Sequence, residues 1–430
     1  MKILAYFTLL VFVTNMSNAQ SEPEYNYDES KVPEFRVPDP LTTFDGTKIS
    51  TPTHWTDKGR PELHTFFEEN VYGKVPGAFD DLNFEVVEQG EALNGKAKRK
   101  QIKVTVSKND RSINFTILLY LPRGASKTPI FLGCNFSGNH TIISDPEVIV
   151  TSAWVMNSKD LGITDHRGKV DSRGARASRW AIEKIVDGGF GLATIFNGEI
   201  DPDKYGDGHS EKGDFSDGVH PLFYVEGQEN PKPDEWGSIA AWAWGLSRAL
   251  DYFENDADVD ETKVIAFGHS RLGKASLWAG ASDQRFAGVV SNDSGCGGAA
   301  LSKRKFGETI GRINAVFPHW FCDNFNGYND NEEALLVDQH QLLALMAPRP
   351  LYVASAQEDE WADPRGEFLS AHYASQVYAL FGKKGIPSTE MPDANRPIQN
   401  TVAYHIRTGE HDVTDYDWEQ YIKWATKFVK

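Results

Sequence analysis

Residues 263–276, KVIAFGHSRLGKAS, constrain this chain more than any other stretch. An apolar, β-favouring run from Val264 to Phe267 stops at Gly268, and two residues later a serine precedes what reads as a first helical turn. That is a strand, a tight turn and a helix, with Ser270 at the tip. A serine so placed is either a nucleophile exposed on a strained turn between small neighbours or merely the N-cap of the following helix. The spacing G-x-S-x-G that marks the first case is displaced here, because Leu272 holds the second glycine's place and Gly273 follows. The window favours the nucleophile, and the rest of the chain must decide.

A chain of 430 residues can bury a large core, as one big α/β domain or two average ones. Its formal net charge of -17 argues against nucleic-acid and anionic-membrane partners, which favour basic surfaces. Eleven Trp, 15 Tyr and 25 Phe would suit stacking on sugar or lignin-like rings, and equally a big core. Residues 1–19 show an early lysine, an apolar run and a small-polar stretch ending at Ala19, the pattern of a cleavable signal peptide. The apolar run is too short for a membrane span, so a soluble, secreted or periplasmic protein is expected, as a monomer. Three cysteines, Cys134, Cys296 and Cys322, are too few for a disulfide scaffold, and Cys296 and Cys322 either bridge or stay buried as small apolar groups. Neither C-x-x-C nor H-E-x-x-H occurs, so no metal and no cofactor is expected.

Residues 20–50, rich in Pro, Glu, Asp and Tyr, read as an extended leader ahead of a catalytic domain spanning 51–430. From Leu82, three β-type runs (83–90, 98–108 and 112–122) suggest an antiparallel start to a sheet. Strands and helices then alternate: strands at 128–136, 190–196, 264–267, 287–293, 349–356 and 400–406, helices at 178–189, 236–254 and 415–430. An antiparallel start followed by a mainly parallel, doubly wound sheet is the α/β-hydrolase layout, a three-layer sandwich with long inserted loops. Residues 137–176 and 197–235, rich in Gly, Asp and Asn, are too long for plain connections and read as lids or binding loops.

A serine hydroxyl at neutral pH needs a base within hydrogen-bond reach and a carboxylate to orient that base. In this fold they follow in the order Ser, acid, His. His405 lies inside the β-run 400–406 and reads as a sheet residue, whereas His411 follows it in a Gly-Glu-His-Asp loop and is the expected base. The acid has two sources. Asp359, or Glu358 beside it, follows the strand 349–356, and Asp293 ends the strand before that; each is equally read as a helix cap. Arg271 would contribute its backbone N–H to an oxyanion site, with its guanidinium bent over the same place. Lys274, one helical turn beyond Ser270, could hold a polar part of the substrate, and salt bridges to nearby acids are the plainer reading of both cations.

The elbow G-H-S-R-L-G-K, the later S-G-C-G-G block and the G-E-H-D loop resemble those of the bacterial glucuronoyl esterases, carbohydrate esterase family 15. The resemblance runs from CNFSGNH to the His411 loop and includes RASRWAIEKI, GEIDPD and WADPRGEF. It implies hydrolysis, through an acyl-enzyme on Ser270, of the ester between 4-O-methyl-D-glucuronic acid on glucuronoxylan and lignin alcohols. His411 would act as base and then acid, Arg271 would steady the oxyanion, and Lys274, Glu308 and Trp361 would bind the sugar. Two departures stand out. The fungal members' disulfide is absent, because its places hold His269 and Asp412. Asp293 stands where many members have glutamate, which weakens it as the sole acid and leaves Asp359, like the acid of a bacterial subset, as its alternative or companion. The competing readings are another carbohydrate esterase of acetyl-xylan type, for which Lys274, Glu308 and Trp361 would be idle, and a polysaccharide-binding pseudo-enzyme without turnover.

Overall fold

The computed structural model describes residues 25–205 and 213–430. The expected signal peptide, residues 1–19 with cleavage after Ala19, lies outside the described residues. β1 (Asp81–Ala92), β2 (Ala97–Lys108) and β3 (Arg111–Pro122) pair antiparallel. In β2, Ile102, Val104 and Val106 are fully buried while Lys103 faces solvent, the period-two pattern of a sheet covered on one side. β4 (Thr128–Asn135), β5 (Gly191–Phe196), β6 (Val259–His269), β7 (Gly288–Asn292), β8 (Leu351–Ala356) and β9 (Val402–Arg407) then run parallel. The sheet order is β1-β2-β3-β5-β4-β6-β7-β8-β9.

The parallel strands are apolar on both faces because helices cover both. In β6, Val264 and Ala266 point into the layer that holds the helices Ser238–Phe253, Arg271–Ser282 and Pro364–Leu380. Ile265 and Phe267 point the other way, towards Ile182–Asp187 and the closing helix Asp415–Phe428. This is the three-layer α/β sandwich expected, and it sets the carboxyl ends of β6, β7, β8 and β9 along one rim.

One element differs from expectation. The helix over 178–189 is only Ile182–Asp187, because Trp180 and Ala181 leave helical geometry at ψ 85° and 58°. Trp180 is turned inward against Phe267 and Trp418, and the Trp418 indole N–H donates to the Arg179 carbonyl. Burial of one indole there outweighs the local helix propensity. Within residues 25–50 the chain makes one 3-10 turn, Glu29–Lys31, and a bridge between Thr42 and Lys48. The long segment 137–176 contains short 3-10 turns and two isolated bridges, Trp154 with Arg167 and Ser158 with Ile163, and no helix among the described residues is long and apolar enough to cross a membrane.

The loop after β7 is held from beneath by Glu367, fully buried on the helix Pro364–Leu380. Its Oε1 accepts the backbone N–H of Ser294 (2.8 Å) and of Gly295 (3.0 Å), and its Oε2 accepts the Ser355 hydroxyl (2.6 Å). Burial pushes its carboxyl up to about 8, against the opposing pull of the Ser355 hydrogen bond. The folded state therefore binds this proton more tightly than the unfolded chain does. Stability from this group is complete below the unfolded value of about 4 and falls as pH rises towards about 8. Glu367→Gln mimics the protonated form, so its melting temperature should fall less than the parent's over that interval; an unchanged slope in a thermal scan would refute this. All three cysteines are buried and unpaired, Cys296 and Cys322 included, so a reducing agent should leave both melting temperature and activity unchanged.

Candidate active site

The turn between β6 and the helix Arg271–Ser282 places Ser270 at φ 58°, ψ -131°, a region that side-chain-bearing residues rarely occupy. Two glycines permit it. A Cβ on Gly268 would lie 1.9 Å from the Leu272 carbonyl oxygen, so no side chain fits where the strand passes under the helix. A Cβ on Gly273 would lie 2.9 Å from Ser294 Cβ, in the S-G-C-G-G block. The displaced glycine thus serves the close approach of the helix to the next strand's loop. The Ser270 N–H donates to the Asn292 carbonyl at 2.9 Å, tying the turn to the end of β7.

His411 stands in the loop after β9, and Arg407 organises that loop. Its Nη2 donates to the carbonyls of Glu410 (2.9 Å) and Asp412 (2.5 Å), and its Nε donates to Asp417 (2.9 Å). His411 Nδ1 lies 2.5 Å from Asp359 Oδ2; Asp359 is buried, while the His411 side chain is 41% exposed and so open to an incoming molecule. Asp293 is buried beside them, and donor atoms of Asp293, Asp359 and His411 converge to within 4.8 Å. Its Oδ1 accepts the Ala356 N–H at 2.6 Å, and its Oδ2 is 3.8 Å from Arg407. Burial, reinforced by the neighbouring carboxyl groups of Glu367 and Asp359, holds the Asp293 carboxyl well above the usual range. The trio's geometry could hold a cation, but hydrogen bonds already engage His411 Nδ1 and Asp293 Oδ1.

The other candidates fall away on position. Glu358 is exposed, and only its backbone N–H reaches the His411 loop, at Gly409. His405 is fully buried, with Nδ1 on the Tyr352 hydroxyl (2.9 Å) and Nε2 on Asp417 (2.8 Å). His269, at the place of the absent fungal disulfide, is buried with its ring centroid 4.4 Å from that of His411. Burial and the adjacent His411 hold it well below the usual imidazole range, hence neutral. Asp412, the other such place, pairs with Arg179 at 2.5 Å.

Arg271 and Lys274 point into the same hollow as Ser270, and both take the plainer electrostatic partners. The Arg271 guanidinium is 2.7 Å from Asp203 and lies over the ring of Trp320 at 4.5 Å, with Tyr205 and Phe317 at 5.2 Å. Asp203 also accepts from Trp320 Nε1 (2.9 Å) and meets His319 Nε2 at 2.9 Å. Burial alone would raise this carboxyl, yet Arg271 and His319 outweigh it and hold it far below the ordinary range. Lys274 donates to the Ser294 carbonyl at 2.7 Å and faces Glu308 at 3.9 Å. Burial lowers the lysine and raises the glutamate, and each charge partly restores the other.

Ser270, Arg271, Lys274, Asp293, Glu308, Asp359, Trp361 and His411 line one cavity of about 350 Å³, together with Phe317 and Trp320, whereas Glu358 and His405 do not. Asp203, Tyr205, Phe317, His319 and Trp320 escaped the reading of the sequence. Asp203 closes the GEIDPD stretch, but nothing in the spacing connects a loop aspartate with a cation 68 positions on.

Residues 228–382 match the family model described as glucuronyl esterase, fungi. The chain is 49% identical over 403 residues to carbohydrate esterase MZ0003 from an unknown prokaryotic organism, covering 93% of this chain and 91% of that one. A promiscuous CE15 esterase from a marine bacterial metagenome superposes with a TM-score of 0.88 at 48% identity, over 94% of this chain and all of the other. The glucuronoyl esterase from Solibacter usitatus does so with a TM-score of 0.85 at 47% identity, over 92% and 99%. With identity at this level spread over nearly the whole chain, the protein belongs to the bacterial glucuronoyl esterases of carbohydrate esterase family 15 and is a carboxylic ester hydrolase.

Proposed function

We propose that this enzyme cleaves the ester between 4-O-methyl-D-glucuronic acid of glucuronoxylan and lignin alcohols through an acyl-enzyme on Ser270. The observation that carries this reading is the composition of one cavity, in which Ser270, His411 and Asp359 share walls with Lys274, Glu308 and Trp361. An acetyl group would leave those last three idle. A uronoyl group presents ring hydroxyls to the Lys274–Glu308 pair and a ring face to the indole.

Ser270 Oγ attacks the uronoyl carbonyl carbon while its proton passes to His411 Nε2, and Asp359 on Nδ1 stabilises the imidazolium. The developing oxyanion is met by the Arg271 backbone N–H at the helix start and by the guanidinium that Asp203 and Trp320 hold in place. Collapse breaks the bond to the alcohol oxygen, which takes the proton from His411. Water then attacks the acyl carbon by the same route, releasing the uronate and restoring Ser270. Asp359, in direct contact with His411, is the orienting acid. Asp293, buried beside the pair and bonded to the Ala356 N–H, supports the placing of Asp359 and His411. The enzyme acts outside the cytoplasm, a reading supported by the signal pattern of residues 1–19.

Ser270→Ala should lower kcat on benzyl D-glucuronate at least about 1,000-fold with the fold intact, as loss of a triad nucleophile does. Asp359→Ala should cost about 100-fold or more in kcat and Asp293→Ala about tenfold. Equal or reversed losses in steady-state kinetics would reassign the acid, and turnover of an acetylated xylan outrunning that of the uronate ester would reassign the substrate.

A further inference from the structure

The leader reaches the sugar side of the cavity. The Tyr25 ring meets the Trp361 ring edge to face, with centroids 5.0 Å apart at 84°, and no other ring among the described residues packs on Trp361 in this way. The Arg312 guanidinium lies over the Tyr25 ring, 5.4 Å from its centroid. One residue on, the Asn26 carbonyl accepts the Gly307 N–H at 2.9 Å, immediately before Glu308. Tyr27 meets Phe306 on the same loop. Glu29 then pairs at 2.6 Å with Arg304, a buried guanidinium whose Nε donates to Asp363 at 2.8 Å.

These contacts join two loops that have no covalent link near the site. One, after β7, carries Glu308; the other, after β8, carries Asp359, Trp361 and Asp363. The two meet directly where the Glu308 N–H donates to the Trp361 carbonyl at 3.0 Å. They are packed too tightly there for a side chain: a Cβ on Gly307, at φ 63°, would lie 2.5 Å from that same carbonyl oxygen. Residues 25–31 lie across this seam, touching both sides.

We infer that residues 25–31 form a strap that positions Trp361 and Glu308 for the uronate ring, making this segment part of the substrate-binding apparatus. This rests on the reading of Trp361 and Glu308 as sugar-binding groups. The strap touches neither Ser270 nor His411, which are fixed from β6 and β9. Its loss therefore weakens binding of the sugar and leaves the chemistry of the bound ester largely alone.

The test is steady-state kinetics of the full chain on two esters, benzyl D-glucuronate and p-nitrophenyl acetate, which lacks the sugar. Tyr25→Ala and the double variant Tyr25→Ala/Glu29→Gln should raise KM for the glucuronate ester about threefold to tenfold, the scale of one aromatic pair. Their kcat, and their turnover of p-nitrophenyl acetate, should stay within about twofold, and Tyr25→Phe should restore KM. A glucuronate KM within about twofold of the parent in both variants overturns the inference, as does an equal loss on both esters with a lowered melting temperature. Trp361→Ala separates the two claims. If it raises KM and the strap variants do not, the strap fails alone; if it leaves KM unchanged, the sugar platform fails and the strap's role with it.

Discussion

The backbone of Ser270 is the constraint on which the site depends. A serine at φ 58°, ψ -131° costs on the order of 1–3 kcal/mol, and such strain persists only where the surroundings over-determine it. Here they do so from three sides. The buried strand β6 delivers the turn, the Ser270 N–H is bound to β7, and the helix Arg271–Ser282 is packed without side chains at Gly268 and Gly273. Gly273 lies one place later than the common elbow pattern because the close neighbour is Ser294, on the loop after β7. That loop in turn is held by Glu367 and receives Lys274. The strained turn and the floor of the cavity around Lys274 are therefore one packed unit.

Charge is arranged in this unit by pairing cations and withholding anions. Arg271, Lys274, Arg304 and Arg407 are buried or nearly so, and each faces a carboxylate or several carbonyls. Removing one partner of such a pair leaves a buried charge uncompensated, which costs several kcal/mol. Burial raises the proton affinity of Asp293 and Glu367, and the carboxyl groups beside them add to it.

What the sequence disclosed was what lies within a few residues of itself. The elbow, the alternation of strands and helices, and the loop holding His411 each depend on local pattern, and each was legible. The helix over 178–189 was not, because its first turn yields to burial of Trp180 against residues some 90 and 240 positions away. Asp203 beside Arg271 and Tyr25 against Trp361 are products of tertiary closure, and no periodicity or spacing records them. Even the acid was ambiguous for a physical reason: two consecutive parallel strands, β7 and β8, end side by side, so both of their terminal aspartates reach the rim.

The absent disulfide shows how such a rim is held without a covalent staple. Where the related fungal pattern has two cysteines, this chain has His269 and Asp412, and the loop between β9 and the closing helix is fastened by other means. Arg407 grips two of its carbonyls from within, Arg179 holds Asp412 from outside, and Asp417 caps the closing helix while bonding both Arg407 and His405. A disulfide acts mainly by restricting the unfolded chain, whereas these bonds act in the folded state, on the loop's orientation. His269, buried and neutral, packs against the His411 ring at one of these two places. Orientation of His411 thus rests on buried hydrogen bonds that tie its loop, through Arg407, to the helix Asp415–Phe428.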